Sequence, residues 1–471
     1  MLAQVLNRDF VLSSVLTSSR ELRRIIANRQ AGLVIGPRTE LDSLSTEELG
    51  AVADVLSAAA ERESAEAEKI LPPRRTRREN PPPKDDYAYM PREPLLGLFQ
   101  SKLEAYLERA LPVEEDQLLD DRRSGPIPIV TNRRVKGIDL QISSEGRRLW
   151  KGMEIAHPKI LSDPGWIHSA VSIWHGIRRG KAQFVERPGP PQPLANRARI
   201  ILFGDWGSGL PRAREVAARI GEELADPSAN GRQKHVIHLG DVYYGGEEAE
   251  YQVNFLGPWP VAKGTHDVAS YTLNGNHDMF PGGHAYFGTA LKDERFAAQG
   301  HSSTFVLAND YWQFLGLDTA YEDRGLHGQQ ADWITELRRS NPARKTVLLS
   351  HHQLFSAYEE GGPILRQKMS AILKEKEIDA WFWGHEHRCV VYRDVERVRF
   401  ASCIGHGGVP DYLSDKAATI PIEYEYRKVR GHGWQPWITF GFAVLDIDGP
   451  KIHMRYIDED GGKPHWESDL T

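Results

Sequence analysis

The sequence predicts an α/β chain with mixed sheet and helices outside, and three observations carry that expectation. First, short apolar runs end in polar clusters: Ile200-Ile201-Leu202-Phe203, Val236-Ile237-His238-Leu239, Tyr271-Thr272-Leu273, Thr346-Val347-Leu348-Leu349 and Ala380-Trp381-Phe382-Trp383. Runs of this length, rich in β-branched and aromatic residues, read as buried strands. Second, helical patterns fall between them, over residues 211–224, 330–338 and about 363–376. Third, later segments pair as hairpins: 302–308 with 311–317 turned at Asn309-Asp310, 388–393 with 397–403, and 440–447 with 451–457 turned at Asp448-Gly449-Pro450. Crossover helices first and hairpins later combine parallel and antiparallel pairing in one architecture.

A chain of 471 residues is too long for one core. The stretch Arg187-Pro188-Gly189-Pro190-Pro191-Gln192-Pro193 reads as a stiff linker. The expected division is an N-terminal, largely helical region over 1–186, a Pro-rich linker over 187–197, and a domain over 198–471. In the N-terminal region, Ser45-Thr46-Glu47-Glu48 forms a capping box for a helix running to about residue 70. A second helix over about 94–110 aligns Leu95, Phe99, Leu103, Tyr106 and Leu107. A third starts with Asp163 as N-cap and Pro164 at the first position, with Trp166, Ile167, Ala170, Trp174 and Ile177 as its stripe. These stripes are core or a docking face, and self-association or a partner is placed here. His168 and His175 lack a third ligand. Arg74-Arg75-Thr76-Arg77-Arg78 and Pro81-Pro82-Pro83 read as a solvated connector in preference to an anion-binding arm.

Composition is that of a globular protein, 40% hydrophobic and 26% charged. The formal net charge of −6 gives no basic footprint, so nucleic acid is a disfavoured partner. No apolar run approaches the roughly 20 residues of a spanning helix. The apolar stretch from Phe10 to Leu16 is interrupted by serines and lacks a cleavage site, so it reads as the start of a mature domain in a cytoplasmic protein. The two cysteines, Cys389 and Cys403, read as reduced, half-buried thiols on a hairpin, and their spacing matches no thiolate metal site.

The polar clusters after the strands carry the chemistry. They are Gly204-Asp205-Trp206-Gly207, Gly240-Asp241-Val242-Tyr243-Tyr244, Gly275-Asn276-His277-Asp278, Ser350-His351-His352 and Gly384-His385-Glu386-His387. In α/β sheets, sites lie outside the carboxyl ends of strands. Asp, Asn and His are donors for first-row transition metals. Two such ions clamp the attacking and leaving oxygens of a phosphoryl group and generate hydroxide near neutral pH. Any one cluster alone reads as structural or solvated; all five in this order do not.

On these motifs, residues 199 to about 456 resemble the calcineurin-like metallophosphoesterase superfamily and are most similar to its purple acid phosphatase branch. Most of the superfamily has Asp-x-His in the first motif. Here Gly207 stands in place of that histidine, as in the purple branch, which compensates with the tyrosine of Gly-Asp-x-x-Tyr, here Tyr244. The resemblance implies a four-layer sandwich of two mixed β-sheets flanked by helices. It implies two metal ions, iron paired with iron, manganese or zinc. Asp205, Asp241, Tyr244 and His387 would hold the first, with Asp241 bridging, and Asn276, His351 and His385 would complete the second. With a tyrosinate and a bridging hydroxide, the ligands supply four formal negatives, so Fe(III) plus a divalent ion leaves one positive charge for a phosphate. His277 would orient the phosphate and act as general acid. Asp278 would fix its ring. His352 contacts phosphate or is a packed imidazole.

The implied activity is hydrolysis of a phosphate mono- or diester by a metal-bridging hydroxide. The alternatives are a phosphodiesterase of nuclease type, and a non-catalytic scaffold whose N-terminal region docks a partner. Asp318, at the end of a strand, supports the site or caps its own loop. Gln330-Ala331-Asp332-Trp333-Ile334 resembles a packing helix of the superfamily. Ile404-Gly405-His406-Gly407-Gly408 is expected at the pocket rim, and the long loop over 409–436 as a lid.

Overall fold

The computed structural model describes residues 8–31, 180–186, 189–243, 246–279, 281–359, 361–409, 418–430 and 437–471, with parts of 45–61 and residues 133–135 and 138–140. Beyond the first two residues the chain divides into two compact units, Ala3–Gly180 with Gly431–Trp434, and Lys181–Arg430 with Gln435–Thr471. In the first unit, α1 (Arg8–Gln30) buries Val15 and Leu22, and the helical residues between 46 and 61 bury Leu49, Ala53, Leu56 and Ala60. Ser19 Oγ donates to the Ala53 carbonyl at 2.7 Å, and Arg23 pairs with Asp54 at 2.6 Å. β1 (Arg133–Val135) and β2 (Ile138–Leu140) form an antiparallel ribbon. The helices expected over 94–110 and 163–177 lie outside the described residues. Among the described residues, no helix is long and apolar enough to cross a membrane.

The second unit begins before the expected linker ends. Gln192–Pro193 forms β3 and pairs with a sheet edge. The strands that follow are β4 (Arg197–Phe203), β5 (Gln233–His238), β6 (Val268–Thr272), β7 (Phe305–Ala308), β8 (Trp312–Gly316), β9 (Lys345–Ser350) and β10 (Ile378–Trp383). After them come β11 (Cys389–Val395), β12 (Val398–Ile404), β13 (Tyr424–Glu425), β14 (Val429–Arg430), β15 (Trp437–Ile438), β16 (Gly441–Asp448), β17 (Lys451–Asp458) and β18 (Trp466–Leu470). They form an eight-stranded sheet of order β13-β11-β12-β10-β9-β8-β7-β3 and a six-stranded sheet of order β18-β17-β16-β4-β5-β6, plus the β14-β15 ribbon. Both sheets are mixed. β9, β10 and β12 run parallel, as do β4, β5 and β6, while the three expected hairpins, β7-β8, β11-β12 and β16-β17, pair antiparallel.

The apolar runs are continuous because both faces of each strand are covered. Alternate residues meet between the sheets: Ile200, Leu202, Ile237, Leu239, Tyr271 and Leu273 pack with Val347, Leu349, Ala380 and Phe382. The other face of the larger sheet, with Leu348, Trp381 and Trp383, is covered by the helices Gln330–Ser340 and Pro363–Glu375 through Trp333, Ile334, Leu365 and Met369. Counting onward, the helices are α2 (Pro211–Ala225), α3 (Asn276–Met279), α4 (His284–Gly288), α5 (Gln330–Ser340) and α6 (Pro363–Glu375). α2 starts with proline at its first position, packs against β16 and buries Val216 and Ile220. The fold is two mixed sheets flanked by helices.

Candidate metal centre

The topology brings together five strand ends. Asp205, Asp241 and Asn276 follow the adjacent parallel strands β4, β5 and β6, while His351, His385 and His387 follow the adjacent parallel strands β9 and β10. The loops are tied to one another by their backbones: Asp205 N–H donates to the Gly240 carbonyl (2.9 Å), Gly384 N–H to His351 (3.1 Å), and Gly204 N–H to Ile404 of the other sheet (3.0 Å). Four of the ligand positions have left-handed backbones, with φ of 55° at Asp205, 72° at Asp241, 69° at His385 and 47° at His387. Such conformations are uncommon for non-glycine residues and cluster where function requires them. Two glycines are forced by crowding: a Cβ on Gly275 would overlap Asp241 Oδ1, and one on Gly384 would lie 2.5 Å from Asp205 Oδ2.

Asp205 and Asp241 are fully buried. Asp205 Oδ2 accepts the His385 N–H at 2.7 Å, and Asp241 Oδ1 accepts the His277 N–H at 2.9 Å. Their other oxygens share the Tyr243 hydroxyl, which donates to Asp205 Oδ1 at 2.7 Å and lies 3.1 Å from Asp241 Oδ2 and 3.0 Å from His387 Nε2. His351 donates from Nδ1 to the Leu239 carbonyl at 3.0 Å, which turns Nε2 toward Asp241 Oδ2 (3.3 Å) and Asn276 Oδ1 (3.0 Å). His385 Nδ1 lies 3.0 Å from the same Asn276 oxygen. Burial opposes charge on His351, but Asp241 outweighs it and lifts the imidazole to about 9. Burial, with the neighbouring His352 and His351, pushes His385 well below the usual histidine range.

These donors fit metal ions. Two buried carboxylates need a compensating cation, and among the described residues neither pairs with a lysine or arginine. The pocket instead draws a proton onto a buried imidazole. Ligand atoms of Asp205, Asp241 and His351, and those of His351, His352 and His385, lie within 4.8 Å of one another. The backbone carbonyl on His351 Nδ1 is the outer support that a ligating imidazole usually has.

The three expected catalytic residues also come to the site. His277 is buried, its N–H fixed on Asp241 and its ring 4.6 Å from that of Tyr243. Asp278 serves the loops: it accepts N–H groups from Asp241 (3.0 Å), Val242 (3.1 Å) and Gly275 (2.7 Å) and the Tyr251 hydroxyl (2.7 Å). Burial and the neighbouring Asp241 push it up to about 7. His352 is anchored by N–H and Nδ1 to Thr319 Oγ1 at 3.0 and 3.2 Å, and its buried Nε2 has no hydrogen-bond partner. Its ring lies 4.6 Å from that of His385.

Tyr244 lies outside the described residues; the tyrosine that reaches the carboxylates is Tyr243, which the motif did not single out. Arg324 was missed as well, with Nη2 3.2 Å from His385 Nε2. It follows Asp318-Thr319, but no spacing marks it. Glu386, quoted within its motif without a role, points away and anchors the loop by accepting the Trp383 indole N–H at 2.9 Å and the Ser356 hydroxyl. Asp318 caps its own loop, accepting the N–H groups of Ala320 and Tyr321 at 3.0 and 2.7 Å.

Part of the chain is similar to known proteins. Residues 198–389 match the family model of the calcineurin-like phosphoesterases. Purple acid phosphatase 22 of Arabidopsis thaliana is 24% identical over 221 residues, 42% of this chain and 46% of that protein. The chain thus spans about half the length of the curated relative it matches. Among solved structures, "GAP50 the anchor in the inner membrane complex of Plasmodium" superposes with a TM-score of 0.43 at 14% identity, over 58% of this chain and 89% of that one. A dimetal phosphatase from Danio rerio gives 0.37 at 11% identity, over 58% and 98%. The superfamily resemblance of the motifs holds over residues 198–389, which match that family model.

Proposed function

We propose that this chain is a metal-dependent phosphoesterase that hydrolyses a phosphate mono- or diester. The observation that carries the reading is the convergence of Asp205, Asp241, Asn276, His351, His385 and His387 from five strand ends, with Tyr243 between the carboxylates. These residues would hold two metal ions, iron with iron, manganese or zinc. When bound, the ions polarise the ester and bring a water to nucleophilic strength near neutral pH.

The remaining roles belong to the chain. Asp241, fixed by His277 N–H and facing His351, would be the carboxylate that the two ions share. The Arg324 guanidinium beside His385 takes non-bridging phosphate oxygens. His352 offers Nε2 on the same side, its ring held by Thr319. His277 gives its proton to the leaving oxygen as general acid. Asp278 is a positioning residue, since its bonds hold the backbones that carry Asp241 and Asn276.

The test is steady-state turnover of an aryl phosphate monoester and the matching diester, with Mn(II) or Fe(II) supplied in turn. Metal-dependent turnover is expected, reduced in Asp241→Asn by more than the roughly 10–100-fold that loss of a supporting group costs. The monoester-to-diester ratio then selects the substrate class. Near-wild-type turnover in Asp241→Asn would sink the reading.

A further inference from the structure

A second group of side chains able to ligate a metal shares no residue with the carboxylate centre. Cys389 opens β11, His406 follows the end of β12, and His465 precedes β18. Cys389 and His406 are buried and His465 is half-buried. One ligand atom from each lies within 4.8 Å of the other two. The cysteines had no metal reading in the sequence, because the two histidines join from segments 17 and 76 positions downstream (406 − 389 and 465 − 389).

The unusual feature is what these imidazoles lack. His406 is fully buried, yet neither of its ring nitrogens has a hydrogen-bond partner. Buried polar atoms are almost always paired, and each exception calls for an explanation such as an ion. The ring is wedged against Gly441, where a Cβ would come within 2.7 Å of Nε2. His465 is oriented from outside: its Nδ1 lies 2.9 Å from the Tyr424 hydroxyl and its ring stacks on Tyr426 at 3.7 Å. Its Nε2 has no partner either. A ligating histidine is commonly held in this way by a bond to its other nitrogen.

We propose that Cys389, His406 and His465 bind a zinc ion, with the fourth position left to water. A thiolate and two imidazoles suit zinc. Ligand atoms on tetrahedral zinc, with Zn–S about 2.3 Å and Zn–N about 2.0–2.1 Å, sit roughly 3.5 Å apart, so the cluster needs to close by no more than about 1 Å. The thiol gives its proton to solvent as it ligates. Burial holds His406 down to about 3 and His465 to about 4, so both imidazoles are neutral and carry a lone pair at neutral pH. Cys403 is not the fourth ligand, since its thiol donates to the carbonyls of Gly384 and Arg388 at 3.5 and 3.3 Å.

The ion ties the two sheets together, because Cys389 belongs to the larger and His465 leads into an edge strand of the smaller. It also fixes the loop after β12, where Gly407 N–H donates to the Gly204 carbonyl at 3.0 Å, one residue before Asp205. The proposal stands independently of the phosphoesterase reading.

The test uses the full chain and a readout that the oxygen and nitrogen donors of the first centre cannot give. Exchange with Co(II) is expected to produce a near-ultraviolet thiolate-to-cobalt charge-transfer band. Cys389→Ser abolishes the band and lowers zinc content by one ion per chain, while Cys403→Ser retains both. His465→Gln, at the half-exposed ligand, weakens cobalt binding at this band at least tenfold and covers the case in which Cys389→Ser fails to fold. Absence of the band in folded wild-type chain at saturating cobalt overturns the proposal. So does a band that survives Cys389→Ser, or unchanged affinity in His465→Gln.

Discussion

Two tyrosines follow Asp241 in the sequence. The Tyr243 hydroxyl lies 2.7 Å from Asp205 Oδ1 and 3.1 Å from Asp241 Oδ2, and beside it Gly207 and Val242 form an isolated parallel bridge. The bridge also explains Gly207: a Cβ there would lie 2.9 Å from Val242 Cγ2, so the histidine usual at this position has no room. Tyr243→Phe is expected to lower metal affinity about 10–100-fold or more, read as metal content after dialysis. Unchanged metal content would show that Tyr243 does not support the ions. The convergence of Asp205, Asp241, Asn276, His351, His385 and His387 was legible because each follows the end of a strand within four residues. Tyr243 and Arg324 were not, because their placement depends on how loops turn, which spacing does not encode.

Elements were legible where one pattern governs a whole segment. The helix starting at Pro211 and the three hairpins stand close to their expected bounds, since burial imposes periods of 3.6 and 2. β18 was missed: Trp-Glu-Ser-Asp-Leu alternates in burial at a sheet edge and carries no apolar run. β3 was hidden by its proline, which an edge strand tolerates. One strand interior also makes a prediction. His235 shares the core-facing side of β5 with Ile237, and neither of its ring nitrogens has a partner. Burial lowers it from 6.5 to about 4. The unfolded chain therefore binds a proton between these values that the folded chain refuses. Stability is full above pH 6.5, falls as pH drops toward 4, and then levels off for this group. The loss at pH 4.5 is about 2–3 kcal/mol. In urea titrations at pH 7.5 and 4.5, His235→Leu should reduce that pH dependence by about this amount; an unchanged dependence would show that His235 is not its source.

At the scale of the molecule, the question is where the unit that carries the metal centre begins. Composition placed the break at the prolines after Glu186, because a Pro-rich stretch cannot build a core of its own. The structure places it at Lys181, because six residues before the prolines are held by the unit they precede. Ala182 N–H donates to the Gly282 carbonyl and its own carbonyl accepts the Tyr321 hydroxyl, both at 2.8 Å. Lys181 Nζ donates to the Tyr321 carbonyl. The Phe184 ring lies 5.1 Å from Tyr321 and 4.9 Å from His327. These partners bracket Arg324, so the segment braces the loop that carries the proposed phosphate-binding cation. Every described strand of the two large sheets comes from residue 192 or later. A chain starting at Lys181 is therefore expected to unfold in one cooperative transition and to retain its metal. A chain starting at Asn196 gives up β3, the exposed Lys181 bond, the two Ala182 hydrogen bonds worth about 0.5–1.5 kcal/mol each and the aromatic contacts worth about 0.5–1.5 kcal/mol. It should be about 2–4 kcal/mol less stable in denaturant titration, with KM for an aryl phosphate raised more than kcat is lowered, because Arg324 loses its brace while the metal ligands keep theirs. Equal stability of the two truncations would place the boundary back at the prolines.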